Sequence, residues 1–191
     1  MSKTVHEFTT DIPQWKPYVA PVNLADATAE QLEALKITPS NTKVSDYVLV
    51  LAHDVETLKH RSPLFNGVMY NRGGLSRAER ELGAVGASMV NRCIYCAAVH
   101  ANRYNQLTKE TDVIAAIFAD GVDAQIEPRL KAILNFAVKL SKCPSDATVD
   151  DMAALVTAGL SKDEILDLIL STALFGWANR LMHTLGEPVE E

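Results

Sequence analysis

The sequence lacks most of what would tie it to nucleic acid, to a membrane or to an oxidising compartment. Lysine and arginine number 18 against 24 aspartates and glutamates, a formal net charge of −6. That leaves no basic excess for a phosphate backbone to recognise, so no nucleic-acid partner is expected. No uninterrupted apolar run approaches the roughly 18–20 residues that cross a bilayer, and the longest uncharged stretch, residues 168–179, falls short, so no membrane partner is expected either. Residues 1–15 show no basic segment followed by an apolar one, the pattern of an export signal, which points to a cytoplasmic location. Three cysteines are an odd number and too few for a secreted disulfide framework. Alternating β-branched runs flanked by hairpin dipeptides are missing as well. Aromatics are scarce at 6%, yet 191 residues that are 48% apolar suffice for a core without metal or disulfide staples.

What is present is helix. Val48, Leu51, Ala52, Val55 and Leu58 recur at the three-and-four spacing of an apolar helix face. Ser62-Pro63 reads as a cap followed by proline at the first helical position, opening a helix that Gly73-Gly74 closes. Ser76 with Glu79, and Ser161 with Glu164, are capping boxes. Pro128 reads as a start and Gly121, Gly159 and Gly186 as stops. The fold class expected is all-α, with about seven or eight helices. Half of the eight prolines (Pro13, Pro17, Pro21, Pro39) fall early, so residues 1–43 are expected to form an extended arm with one short helix over 28–36. Phe8, Trp15 and Tyr18 would pack that arm onto its own core or a neighbouring subunit; residues 44–191 would form the helical domain. Gly74-Leu75-Ser76 recurs 85 positions later as Gly159-Leu160-Ser161. This is either reuse of one capping chemistry or a duplicated helical unit whose second copy lost its chemistry. The last helix, over 165–185, is apolar nearly all round and is expected at the centre or at a subunit interface.

The chemistry concentrates in Cys93-Ile94-Tyr95-Cys96-Ala97-Ala98-Val99-His100. Alanines favour helix here and Asn91 suits a turn or cap, so Cys93, Cys96 and His100 would share one helix face. Cα atoms three apart on a helix are about 5 Å apart, within disulfide range, so the pair can cycle between dithiol and disulfide. The helix N-terminus favours a thiolate at Cys93. His100, however, is one turn from Cys96 and about 10 Å from Cys93, which makes Cys96 the preferred attacking thiolate and Cys93 its resolving partner. Glu81 would lie roughly 18 Å before Cys93 on one continuous helix. It reaches His100 only if the chain reverses near Asn91-Arg92; otherwise it is part of a charged first turn. A zinc site lacks its fourth ligand, haem attachment wants histidine where Ala97 stands, and a thioredoxin-like βαβ frame is missing. No metal or cofactor is therefore expected.

Glu81, eleven intervening residues and then Cys93-x-x-Cys96-x-x-x-His100, led in by Leu75-Ser76-Arg77-Ala78-Glu79-Arg80, resemble the signature of alkylhydroperoxidase D-like proteins of the carboxymuconolactone decarboxylase superfamily. The chain looks most like the peroxidase-related branch. The resemblance implies reduction of a small-molecule hydroperoxide, with an external dithiol returning electrons. It also implies Cys96 as the peroxidatic residue, Cys93 as the resolving one, His100 with Glu81 as proton relay, a fold of duplicated helical halves, and a homo-oligomer such as a trimer or hexamer. One departure stands out: Ile94 and Tyr95 lie between the cysteines where well-studied members carry a histidine, and a tyrosine is too weakly acidic to relay protons near neutrality. The rival readings are a non-redox lactone or small-acid enzyme of the same superfamily, and a redox-sensing or metal-binding interaction protein. Elsewhere, His53 and His60 would share a helix face as long-spaced metal ligands or stand as surface histidines. His183 is expected as a hydrogen-bonded core or interface residue and Cys143 as a structural bystander. Arg92 would either favour a neighbouring thiolate or be solvated.

Overall fold

A computed structural model describes residues 2–36 and 44–190; Pro39 and the expected end of the arm lie outside the described residues. Among those described there are nine α-helices and a small sheet: β1 (Lys3–Thr4), β2 (Gln14–Pro17), α1 (Ala29–Leu35), α2 (Asp46–Leu51), α3 (Val55–Tyr70), α4 (Arg77–Val90), α5 (Ile94–Thr108), α6 (Asp112–Asp120), α7 (Pro128–Ser141), α8 (Val149–Thr157), α9 (Lys162–Leu185) and β3 (Gly186–Glu190). The molecule is all-α in class, with one small sheet.

Helix α4 is the axis of the bundle, packed on α5, α7 and α9. Every residue from Glu79 to Ser88 is buried. Gly86 makes the close crossing with α7 possible, since a Cβ there would stand 2.8 Å from the Ala137 methyl. Leu82, Val85, Ile114, Ile117, Ile133 and Leu168 form the centre of the main core; each buried side chain of this size contributes about 1.5–3 kcal/mol.

Both capping boxes form, Ser76 with Glu79 and Ser161 with Glu164. The two glutamates converge on one side chain: Arg129 of α7 donates from Nε to Glu79 at 2.6 Å and from Nη2 to Glu164 at 2.6 Å. Farther along, Asn179 of α9 hydrogen bonds to Ser88 at 3.1 Å and to Asn91 at 3.2 Å. The two echoing helices therefore run side by side in the same direction. Helix α9 is long and apolar enough by composition to cross a membrane, but its Leu168, Thr172, Phe175, Ala178 and Asn179 are buried within the bundle, which makes it a core helix.

Two expectations are corrected. Pro63 does not open a helix; it lies inside α3, whose true cap is Asp54, accepting from the Thr57 amide at 3.0 Å. Pro63 sits on the exposed side of α3, where the lost backbone hydrogen bond faces water. Among the described residues there are nine helices, eight of them of seven residues or more, as expected; α2 is the one shorter element. The chain also holds strands: β3 lies between β1 and β2, antiparallel to both. Pairing between opposite ends of the chain leaves no hairpin signal, and strands of two, four and five residues leave no alternation to read. Gly121 and Gly159 stop α6 and α8 at positive φ and Gly186 caps α9 in extended backbone, whereas α3 ends at its cap, Asn71, before Gly73 and Gly74.

Candidate active site

The site begins with a reversal. Helix α4 ends at Val90, Asn91 caps it, and Arg92 takes a left-handed φ of 55° that turns the chain back. Cys93 becomes the N-cap of α5, its amide donating to Ser88 at 2.9 Å. Helix α5 then returns along α4, bringing Glu81 and His100 together with Nδ1 of His100 2.5 Å from Oε2 of Glu81. Glu81 is only 1% exposed, and Arg77, one turn before it, hydrogen bonds to its other oxygen through Nε at 2.8 Å. Burial alone would raise the carboxyl pKa; His100 and Arg77 outweigh it and hold Glu81 below the ordinary carboxylate value. An ionised Glu81 requires the proton on Nδ1 of His100, which leaves Nε2 as the free basic nitrogen. The edge of the Phe175 ring, from α9, closes one side of the imidazole with centroids 4.0 Å apart.

Cys93 and Cys96 are linked as a disulfide across the first turn of α5, their Cα atoms 5.3 Å apart. Both are buried, in one apolar cluster with Trp15, Tyr47, Val50 and Met182. His100 follows Cys96 by one helical turn, about 6 Å along the axis. Tyr95 points away from any proton-relay role: burial and then the nearby Asp46 carboxylate push its pKa above the usual phenol value.

The structure thus brings all four expected residues, Glu81, Cys93, Cys96 and His100, to the paired helices α4 and α5. The other candidates stay apart. His53 lies between α2 and α3 with Nε2 2.8 Å from the Ala20 carbonyl, and His60 pairs with Glu56 at 3.1 Å, so they share no helix face. No cluster of potential metal ligands occurs among the described residues. His183 is exposed rather than a core residue, and meets the Asn91 carbonyl at 2.8 Å. Cys143 is a free, exposed thiol. Arg92 is exposed, as the second of its two readings had it, and its guanidinium turns to the arm, donating to the His6 carbonyl at 3.3 Å and lying over the Phe8 ring.

Several residues around the site carried no sequence signal. Arg61 of α3 stacks its guanidinium on Phe65, 3.9 Å from the ring centroid, with Tyr47 at 5.6 Å on another side. Phe65 in turn meets Phe175 edge to face at 5.6 Å, and Phe175 meets His100. Val50, Leu51, Leu181 and Leu185 separate the cysteine cluster from a cleft of about 480 Å³ that Arg61 and Trp177 also line. An arginine on a helix face with an aromatic four positions on is common enough to pass unnoticed.

Fold and site together define an all-helical protein with a vicinal cysteine pair and a buried carboxylate–histidine couple. Residues 56–139 match the carboxymuconolactone decarboxylase family. Solved structures are similar over nearly the whole chain. An alkylhydroperoxidase AhpD core protein, an uncharacterized peroxidase-related protein from Ralstonia eutropha JMP134, is 28% identical with a TM-score of 0.78, covering 94% of each chain. An uncharacterized peroxidase-related protein from Silicibacter sp. TM1040 is 23% identical, TM-score 0.75, covering 92% of this chain and 94% of its own. The debrominase Bmp8 is 16% identical, TM-score 0.74, covering 88% and 90%. No curated protein sequence matches the chain. Residues 56–139 thus form a carboxymuconolactone decarboxylase family domain, and the fold around it is the one seen in the alkylhydroperoxidase AhpD core protein.

Proposed function

We propose that the protein reduces hydroperoxides through a Cys93/Cys96 dithiol–disulfide cycle, with His100 and Glu81 handling the protons. The Cys96 thiolate attacks the distal peroxide oxygen. An S–O bond forms, the O–O bond breaks, and the alcohol leaves with the proton that His100 took from the thiol. Cys93 displaces hydroxide from the resulting sulfenic acid as water, closing the disulfide, and an external dithiol restores both thiols. The observation that carries this reading is the Glu81–His100 hydrogen bond of 2.5 Å, a buried base and its orienter one turn beyond Cys96.

The test is turnover of cumene hydroperoxide with dithiothreitol as donor. Wild-type protein, once reduced, should lose about 2 Da on one equivalent of peroxide, and Cys96→Ser should fall to the uncatalysed rate. Wild-type turnover by Cys96→Ser would overturn the reading. Because a debrominase shares the fold, tribromopyrrole is the contrasting substrate; faster consumption of it than of peroxide would assign the pair to dehalogenation instead. The exposed Leu166 and Leu170 of α9 support self-association of the chain through that helix face.

A further inference from the structure

The cleft beside the cysteine cluster is mostly apolar, with His53, Asp54, Thr57 and Arg61 as the polar residues of its lining. Val50, Leu51, Leu58, Leu181, Leu185 and the half-exposed Trp177 supply its walls, and its volume of about 480 Å³ suits a small organic ligand. Set into those walls is the guanidinium of Arg61. Its faces are covered by the Phe65 and Tyr47 rings, but stacking leaves the in-plane N–H groups unused. Nε is buried without a hydrogen-bond partner. No carboxylate lies within ion-pair range of it among the described residues; the only ionisable group that perturbs it is Tyr47. A half-buried guanidinium whose Nε meets neither water nor a partner is unfavourable unless an acceptor completes it. A planar fork of donors is matched best by a carboxylate. The other polar groups at the cleft are already engaged: Asp54 accepts from Thr57 at 3.0 Å and His53 is bonded to the Ala20 carbonyl.

We propose that this cleft binds a medium-chain carboxylic acid, its carboxylate on Arg61 and its alkyl chain along Val50, Leu51 and Leu181. The cleft shares that wall with the Cys93/Cys96 cluster, and through Phe65 and Phe175 it reaches the ring that touches His100. Resting on the peroxidase reading, this makes the preferred peroxide one carried on an acid, as in a fatty-acid hydroperoxide.

Binding separates this inference from that reading, because it needs no turnover. Decanoate and decanol, both below their aggregation limits, are titrated against the full-length protein by calorimetry. Decanoate should bind at least about tenfold more tightly, a difference of about 1.4 kcal/mol. Arg61→Gln should abolish that preference and Arg61→Lys retain part of it. Equal affinity of the two ligands for wild-type protein, a comparison that needs no variant, would overturn the proposal, as would a preference that survives in Arg61→Gln. In turnover, linoleic acid hydroperoxide should show a KM about tenfold below that of its methyl ester, a gap that closes in Arg61→Gln. If neither peroxide is reduced while decanoate is still preferred, the cleft stands and the peroxidase reading falls.

Discussion

Glu81 is a carboxylate that folding withdraws from water and then keeps charged. Its two oxygens are taken by different partners, Arg77 on its own helix and His100 on the next, so it both orients the imidazole and balances its charge. Glu81→Gln keeps the shape and one hydrogen bond but removes that balance. Peroxide turnover should fall about 10²- to 10³-fold, the usual scale for general acid–base assistance, with much less change in KM, read by steady-state kinetics. The same residue leaves a mark on stability. Its folded pKa lies below the unfolded value, so its stabilisation is complete above about pH 4.5 and is lost as pH falls through the folded value. Urea midpoints of the wild type should therefore decline from about pH 4.5 downward, and those of Glu81→Gln should decline less steeply. An identical slope in the two proteins would remove Glu81 from the account. Cys93, Cys96 and His100 were legible from spacing because they share one helix. Glu81 was legible only as a conditional, since its reach depends on a single residue, Arg92, adopting a left-handed turn. Arg61 and Tyr47 were not legible at all. Their meaning arises from tertiary contacts with Phe65, Phe175 and the cysteine cluster, which no local pattern encodes.

Among the elements, α4 and α9 were the most readable, because a capping box is a short-range device written within four residues. What the pattern did not disclose is that the two boxes share a fastener. Arg129 reaches from α7 to both capping glutamates, tying the starts of three helices into one knot that is only partly exposed. Charge-assisted hydrogen bonds are each worth about 1.5–3 kcal/mol, less where water screens them. Arg129→Ala should lower unfolding free energy by about 2 kcal/mol without touching the cysteine chemistry. Chemical denaturation combined with a peroxide assay checks both halves, and a loss of turnover at full stability would contradict the assignment. Pro63 shows the opposite case: a strong local signal for a helix start was overridden by the better cap at Asp54 nearby.

At the scale of the molecule, the N-terminal segment is a belt. Phe8 stacks on Phe118 of α6, Asn102 of α5 donates to the Thr10 carbonyl, and Trp15 packs edge to face on Tyr47 while its indole donates to the Met182 carbonyl at 3.4 Å. Trp15 belongs to the cluster that buries the disulfide, so the belt controls how readily a dithiol reaches the sulfurs. Trp15→Ala should speed reduction of the pair by dithiothreitol several-fold, followed by maleimide labelling of Cys93 and Cys96 under native conditions. Unchanged labelling kinetics would show that the thiols are reached by another path.

The indole and its carbonyl acceptor are separated by 167 positions, and the strand that clasps the belt, β3, follows the last helix. Residue 186 admits only glycine against the Trp15 ring, where a Cβ would come within 2.5 Å. During synthesis, therefore, α4 and α5 emerge and can bring the cysteines and His100 together while the belt still has nothing to fasten to. In a nascent chain the thiols should therefore lack this cover until β3 arrives, and newly made protein is expected to be the form most open to oxidation and to capture by other thiols.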